Sequence, residues 1–474
     1  MQSACPVCVN AARARVRCAP CAGHARMFFR QKQSRKKVSA ARTFCAAALV
    51  FPVLTQYSKV RKTQTEFFTG VYTVDITLQD FERAQQRLKG VLHHTELDLS
   101  ATFSAMTGGN IYLKYENSQK TGSFKIRGAS NKIAALVERG ETGAVVASSA
   151  GNHAQGVAYA AHRFGIPATI VMPKTAPIAK AKATEGYGAT VVLAGDCYDD
   201  AYARACEICE QEHATFLHPY NDPEVIAGQG TLGLEILGDL PTADVVIVPA
   251  GGGGLLAGVA ACIKQINPRV QVIGVQAGVV ASMYASRKAG KVTTVKDAAT
   301  LADGIHVLTP GDLTFEMCQK YVDEIVTVSE DEIAAAILAL LEVQKTVAEG
   351  AGATPVAAFM SGKVDTSKKT VCVVSGGNVD VTTLSRVITR GLTYTGRITT
   401  ITTKLADRAG SLMNLLNVVS GTGANVVRIH HEREDVNSEV NACVVSMVLE
   451  TRNSEHVQQI KDKLTEKGYS LLEA

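Results

Sequence analysis

Val245-Val246-Ile247-Val248-Pro249-Ala250-Gly251-Gly252-Gly253-Gly254-Leu255-Leu256-Ala257-Gly258 is the stretch whose reading decides the fold. Its first five residues are apolar, largely β-branched and too few for a helix, which predicts a buried strand. The four glycines that follow let successive backbone amides converge on an anion, and the Ala/Gly/Leu helix behind them adds the positive end of its dipole. A flexible linker would not sit between a buried strand and such a helix. The glycines lack the spacing of a dinucleotide fingerprint, and no Lys-Ser/Thr ending makes them a nucleotide loop. The expectation is a phosphate group held past the carboxyl end of a strand.

The same alternation extends outward. Strands are expected over 111–115, 144–148, 168–172, 190–194, 272–275 and 371–375, with helices over 128–139, 152–164 and 332–341. Short apolar strands alternating with helices predict parallel sheets covered on both faces, with ligand sites beyond the carboxyl strand ends. After residue 396 the order changes to strand 397–405, helix 411–420, strands 425–431 and 440–449, helix 455–466 and strand 469–472. That is the β-α-β-β-α-β order of a ferredoxin-like unit, with 391–396 as the expected linker. The domain reading is a leader over 1–70, a catalytic α/β region over 71–390 and the small domain over 397–474.

Charge is unevenly placed. Residues 1–65 hold 13 Lys/Arg and no acidic residue, so the rest carries 36 basic against 44 acidic residues, net −8. A body with that balance argues against nucleic-acid binding. The leader reads as a targeting segment, or as sequence upstream of the mature start, so the expected location is cytoplasmic or, through the leader, an organelle. Its apolar run over 44–54 is about half of a membrane span. Cys5-x-x-Cys8 and Cys18-x-x-Cys21 have metal-ligand spacing, but nothing around them resembles a folded ribbon, and no metal is expected. The seven later cysteines, scattered and odd in number, suit reduced thiols.

Three further segments carry chemistry. In Thr121-Gly122-Ser123-Phe124-Lys125-Ile126-Arg127-Gly128-Ala129, a lysine among small and apolar residues at a helix start is pushed toward the neutral amine that a Schiff base needs. An ordinary surface lysine is the bland alternative. Ser148-Ser149-Ala150-Gly151-Asn152-His153-Ala154-Gln155-Gly156 places free helix amides where a carboxylate could bind, or else is a common Ser/Asn cap. Val374-Ser375-Gly376-Gly377-Asn378 follows another apolar strand and is by itself only a tight turn.

In this order the segments resemble the fold type II (tryptophan synthase β-like) pyridoxal-phosphate family, and within it the threonine dehydratases. Met172-Pro173-Lys174-Thr175, His218-Pro219-Tyr220-Asn221-Asp222-Pro223, Leu301-Ala302-Asp303-Gly304-Ile305 and Ala348-Glu349-Gly350-Ala351-Gly352-Ala353 add to the match, which spans about 72–390. Leu405-Ala406-Asp407-Arg408-Ala409-Gly410-Ser411-Leu412 is similar to the first turn of an ACT domain. The resemblance implies two parallel-sheet α/β subdomains plus a ferredoxin-like ACT domain, and β-elimination of water from threonine or serine. Lys125 would carry pyridoxal phosphate and move the α-proton, with Phe124 behind the ring. Asn152 would bond the 3′-oxygen, Gly251, Gly252, Gly253, Gly254 and Leu255 would cradle the phosphate, and Ser375 would face the pyridine nitrogen. The substrate carboxylate falls to Ser149, Ala150, Gly151, Asn152 and His153, and an amino-acid effector to Asp407, Gly410, Ser411 and Leu412. Such relatives are commonly homo-oligomers.

The similar serine racemases carry a serine, used as a second acid/base, where this chain has Ala150. They also have cation-binding carboxylates where it has Gln276 and Ser282. A racemase or other fold type II lyase is therefore the runner-up, and a non-enzymatic sensor the third reading.

Overall fold

The computed structural model describes residues 75–433 and 441–472; the leader and its cysteine pairs lie outside them. Fourteen strands occur among these residues. They are β1 (Leu97–Leu99), β2 (Asn110–Tyr115), β3 (Val145–Ser148), β4 (Ala168–Met172), β5 (Thr190–Leu193), β6 (Thr215–Phe216) and β7 (Val245–Pro249), followed by β8 (Gln271–Ala277), β9 (Glu324–Val328), β10 (Lys369–Val374), β11 (Ile398–Ala406), β12 (Asn425–Glu432), β13 (Ala442–Glu450) and β14 (Leu471–Leu472).

Two sheets build the α/β body. The larger has the order β1-β2-β10-β7-β8-β9, parallel except for the edge strand β1, and the smaller, β5-β4-β3-β6, is parallel throughout. Period-two alternation divides the side chains of the larger sheet between two cores. Val246, Val248, Val272, Val371 and Val373 point into one. Val245, Ile247, Ile273, Val275, Cys372 and Val374 point into the other. The smaller sheet splits likewise, with Val145, Ala147 and Ile170 on one face and Val146 and Val171 on the other. Covering both faces explains why these strands read as unbroken apolar runs.

The third sheet, β12-β13-β11-β14, is antiparallel, and its order with two helices is the ferredoxin-like plan. β13 alternates buried and half-buried residues, as expected with one face covered. Its core is separate, built on Ile401, Leu405, Leu415, Val445, Met447 and Ile460.

The structure corrects the expected linker. Helix Val381–Tyr394 runs through most of 391–396, leaving Thr395 and Gly396 to make the turn. Gly391 is not a hinge residue: it is buried, and a Cβ there would lie 2.9 Å from the Ala334 carbonyl of helix Glu330–Val343. It permits close helix packing, a role that loop composition mimics. The seven cysteines in the described residues are free thiols, as expected. No helix among those residues is long and apolar enough to cross a membrane.

Candidate active site

Helix Lys125–Glu138 begins at Lys125, with Phe124 as its cap. Its entry is pinned to the loop after β10. The Phe124 amide donates to the Ser375 carbonyl at 3.0 Å, the Gly377 amide donates to Gly122 at 2.9 Å, and Ser123 bridges Gly376. Two segments about 250 residues apart in sequence are thereby made one surface. Lys125 Nζ donates to the Pro219 carbonyl at 2.9 Å and lies 5.3 Å from the centre of the Phe124 ring. Burial lowers its pKa to about 8, against the opposing charge of Glu349. Near neutral pH an appreciable fraction is the free amine.

The surroundings add little positive charge. His153 Nε2 meets the Leu217 carbonyl at 3.0 Å, and burial, then the Lys125 charge, brings its pKa down to about 3. His218 Nδ1 accepts the amides of Tyr220 (3.2 Å) and Asn221 (2.8 Å), so its proton sits on Nε2; burial and Lys125 hold it at about 3 as well. Both imidazoles are neutral.

Asn152 opens helix Asn152–Phe164 and is held at both ends of its amide. Its Nδ2 donates to Glu349 Oε1 at 2.8 Å, and its Oδ1 accepts from Asn378 Nδ2 at 2.8 Å, which also donates to the Thr121 carbonyl. Nδ2 carries two hydrogens, so one remains for a ligand oxygen. Burial and then Asp303 push the Glu349 carboxyl up to about 7, while the Asn152 bond and two lysines oppose the rise. In the same helix start, the Ser149 amide donates to Val171 and the Gly151 amide to Ser149 Oγ, while those of Ala150, Asn152 and His153 meet no protein acceptor among the described residues. The His153 side chain turns inward, so its offer to a carboxylate is its backbone N–H. Ala150 packs at the rim of the smaller sheet's core.

Past β7, helix Gly254–Ile266 starts after Gly253, whose φ of +98° demands glycine. A Cβ on Gly252 would lie 2.5 Å from the Tyr220 ring, and one on Gly254 2.9 Å from Tyr220 Cα. Among the described residues, the amides of Gly251, Gly252, Gly253, Gly254 and Leu255 donate to no protein acceptor. All five residues except Gly251 are buried. A row of buried, unsatisfied N–H groups at a helix N-terminus costs free energy unless an anion takes them. Ser123 Oγ, Ser148 Oγ and His153 Nδ1, in the segments around Lys125, are likewise buried without a partner. These residues fit a phosphorylated aldehyde: an amine of depressed pKa, a phosphate cradle, and spare donors between them.

Sequence reasoning gave no role to Tyr220, His218, Glu349 or Asn378. The signal for Glu349 was present, since a lone carboxylate in the small-residue run Ala348–Ala353 implies burial. Tyr220 could be found only once its ring was seen against the glycines. In the small domain, helix Ser411–Ser420 is capped by Gly410 at φ +88°, with open space where a Cβ would be.

Known proteins resemble this chain over most of its length. A family model described as pyridoxal-phosphate dependent enzyme matches residues 89–376. The L-threonine ammonia-lyase of Thermotoga maritima is 53% identical over 397 residues, 84% of this chain and 99% of its own. The processed form of threonine deaminase isoform 2 from Solanum lycopersicum superimposes with a TM-score of 0.64 at 37% identity, covering 68% of this chain and 95% of that one. Maize serine racemase superimposes at 0.63 and 35% identity, covering 67% and 98%. The chain belongs to the family of pyridoxal-phosphate dependent enzymes, and its cofactor is pyridoxal phosphate.

Proposed function

We propose that this enzyme eliminates water from L-threonine, and from L-serine, and that hydrolysis of the released enamine takes a water back to give 2-oxobutanoate or pyruvate and ammonia. The observation that carries it is the pairing of a depressed Lys125 with a row of unsatisfied glycine amides. The names of its relatives support the choice of substrate.

Bound pyridoxal phosphate supplies the electron sink for the pair left when the Cα–H bond breaks. The amides of Gly251–Leu255 would hold its phosphate, and Phe124 would lie behind its ring. Asn152, oriented by Glu349 and Asn378, would give its remaining N–H to the phenolic oxygen. The amides of Ala150, Asn152 and His153 hold the substrate carboxylate at a helix N-terminus. Lys125, as free amine, takes the proton from Cα. Ser375 would face the pyridine nitrogen with a neutral hydroxyl, which could not keep that nitrogen protonated as an ionised carboxylate would. A neutral partner at that position would favour loss of the β-hydroxyl over transamination.

The serine-racemase neighbour gives the second reading, and three positions disfavour it. Ala150 offers no acid/base group. Gln276 Oε1 accepts from the Tyr284 amide at 2.8 Å and Ser282 Oγ donates to the Val307 carbonyl at 2.6 Å, so neither position offers a carboxylate to a cation. We further assign the small domain as an ACT-type sensor in which the Asp407–Leu412 turn, with Gly410 and Ser411, takes isoleucine or valine by its carboxylate. The response would pass through two arrangements of a homo-oligomer. Residues 1–70 are proposed to be dispensable for this chemistry. A coupled assay on L-threonine tests the main assignment: 2-oxobutanoate and ammonia should appear in equal amounts, and absence of both rejects it.

A further inference from the structure

The ferredoxin-like domain brings together three side chains that no motif links. Asp407 lies just past β11, His431 on β12 and Cys443 on β13. Register explains the meeting. Leu405 pairs with Cys443, and His431 with Val445, and cross-strand partners share a face. Cys443 and Val445 are both buried on the side covered by the helices, and Asp407 lies two residues beyond Leu405 on that side. One ligand atom from each of the three falls within 4.8 Å of the others.

We infer that Asp407, His431 and Cys443 form a site for a borderline divalent transition metal of the zinc class. The donor set is the argument. Thiolate, imidazole and carboxylate together match zinc-like ions, whereas calcium and magnesium take oxygen ligands throughout. A tetrahedral ion of that class spaces its ligand atoms roughly 3.3–3.7 Å apart, so a contraction of about 1 Å in side-chain position suffices. His431 Nε2 is buried and has no partner among the described residues, an unusual state for a ring nitrogen unless something else takes it. Among the described residues, Cys443 Sγ makes only a long contact, 3.6 Å, to the Leu405 carbonyl. Arg433 Nη2 stands 3.2 Å from Asp407 Oδ1 and so fixes the carboxylate while leaving its other oxygen to coordinate. Three protein ligands leave a fourth position open to water or a small ligand. An ion there would clamp the ends of β11, β12 and β13 together.

The test uses the full-length enzyme with its cofactor, stripped by chelator and dialysed against Zn2+ alone, with Co2+ difference spectra as the geometric readout. Cys443→Ser and His431→Gln, neither in the catalytic cleft, are compared with the wild type. The wild type should hold one more equivalent than either variant and show the visible bands of tetrahedral cobalt. Because losing an outer-shell partner already costs 10–100-fold, losing a ligand should weaken binding by about 100-fold or more. Cofactor absorbance and elimination activity report that each variant is folded, and if one fails to fold the other still decides. Equal stoichiometry, affinity and spectra in all three proteins would overturn the proposal and place any bound metal on other thiols.

Discussion

Lys125 and Arg127 sit two residues apart on one helix, and the fold treats their charges in opposite ways. Arg127 is completely buried, yet Glu116 grips it through Nε and Nη2 at 2.7 Å each, and Glu235 takes Nη1 at 2.7 Å. Burial alone would lower its pKa; the Glu116 charge and hydrogen bonds, then Glu235, outweigh that and raise it. Lys125 has a carbonyl for a partner and only the charge of Glu349 to oppose desolvation, so desolvation wins and its pKa falls to about 8. Burial does not set the charge of a side chain; burial together with the partner it is given does. The first turn of one helix thus carries both a reactive group and an anchor, and each can be broken separately.

Removing the reactive group has the largest effect. Lys125→Ala should cut turnover by roughly 10²–10⁴-fold, the range of a lost acid/base, and abolish the absorbance of lysine-bound cofactor with little change in unfolding midpoint. Spectra and kcat measured together check this. Breaking the anchor should do the reverse. Glu116→Gln leaves Arg127 buried with one carboxylate fewer and should cost about 3 kcal/mol or more in denaturant unfolding, while kcat of the folded fraction falls far less. If the two substitutions gave the same profile, the division of labour along the helix would be wrong.

A smaller effect sharpens the electrostatic side. Glu349 rises from an ordinary 4.5 to about 7 in the fold. The native state therefore binds that proton more tightly than the unfolded chain, and the resulting stability is present below about pH 4.5 and lost as pH rises through about 7. Glu349→Gln cannot ionise, so its melting temperature should gain on the wild type above pH 7 and converge with it toward pH 4.5. A difference independent of pH would mean that the carboxyl does not ionise in this range. The smallest effect is reserved for the distant domain. A chain ending at Thr395 should keep elimination of threonine largely intact and lose any response to isoleucine or valine, measured as rate against effector concentration. An unchanged response would move the effector site into the α/β body.

Legibility in the sequence followed how each feature is built. Val245–Pro249, Asn152–Phe164 and Ser411–Ser420 were readable to the residue because burial on both faces or a clear cap fixes their limits. Lys125 and the glycine loop were readable because each is contiguous and sits at a strand end or helix start. Tyr220, Glu349 and Asn378 act through contacts between segments far apart in the chain, so only the fold reveals them. Gly391 misled for a related reason: a glycine in a polar stretch looks the same whether it frees the chain or lets two helices touch. His431 and Cys443 left no local trace, since register across an antiparallel sheet, not spacing, brings them together.

The central claim is that one basic group on one face, with no second acid/base at Ala150, commits the enzyme to elimination. Following both products from L-serine in a single reaction, pyruvate by coupled reduction and D-serine by chiral chromatography, tests it most directly. The account predicts pyruvate with ammonia in equal amount and no D-serine above background. D-serine formed at a rate comparable to pyruvate would contradict it.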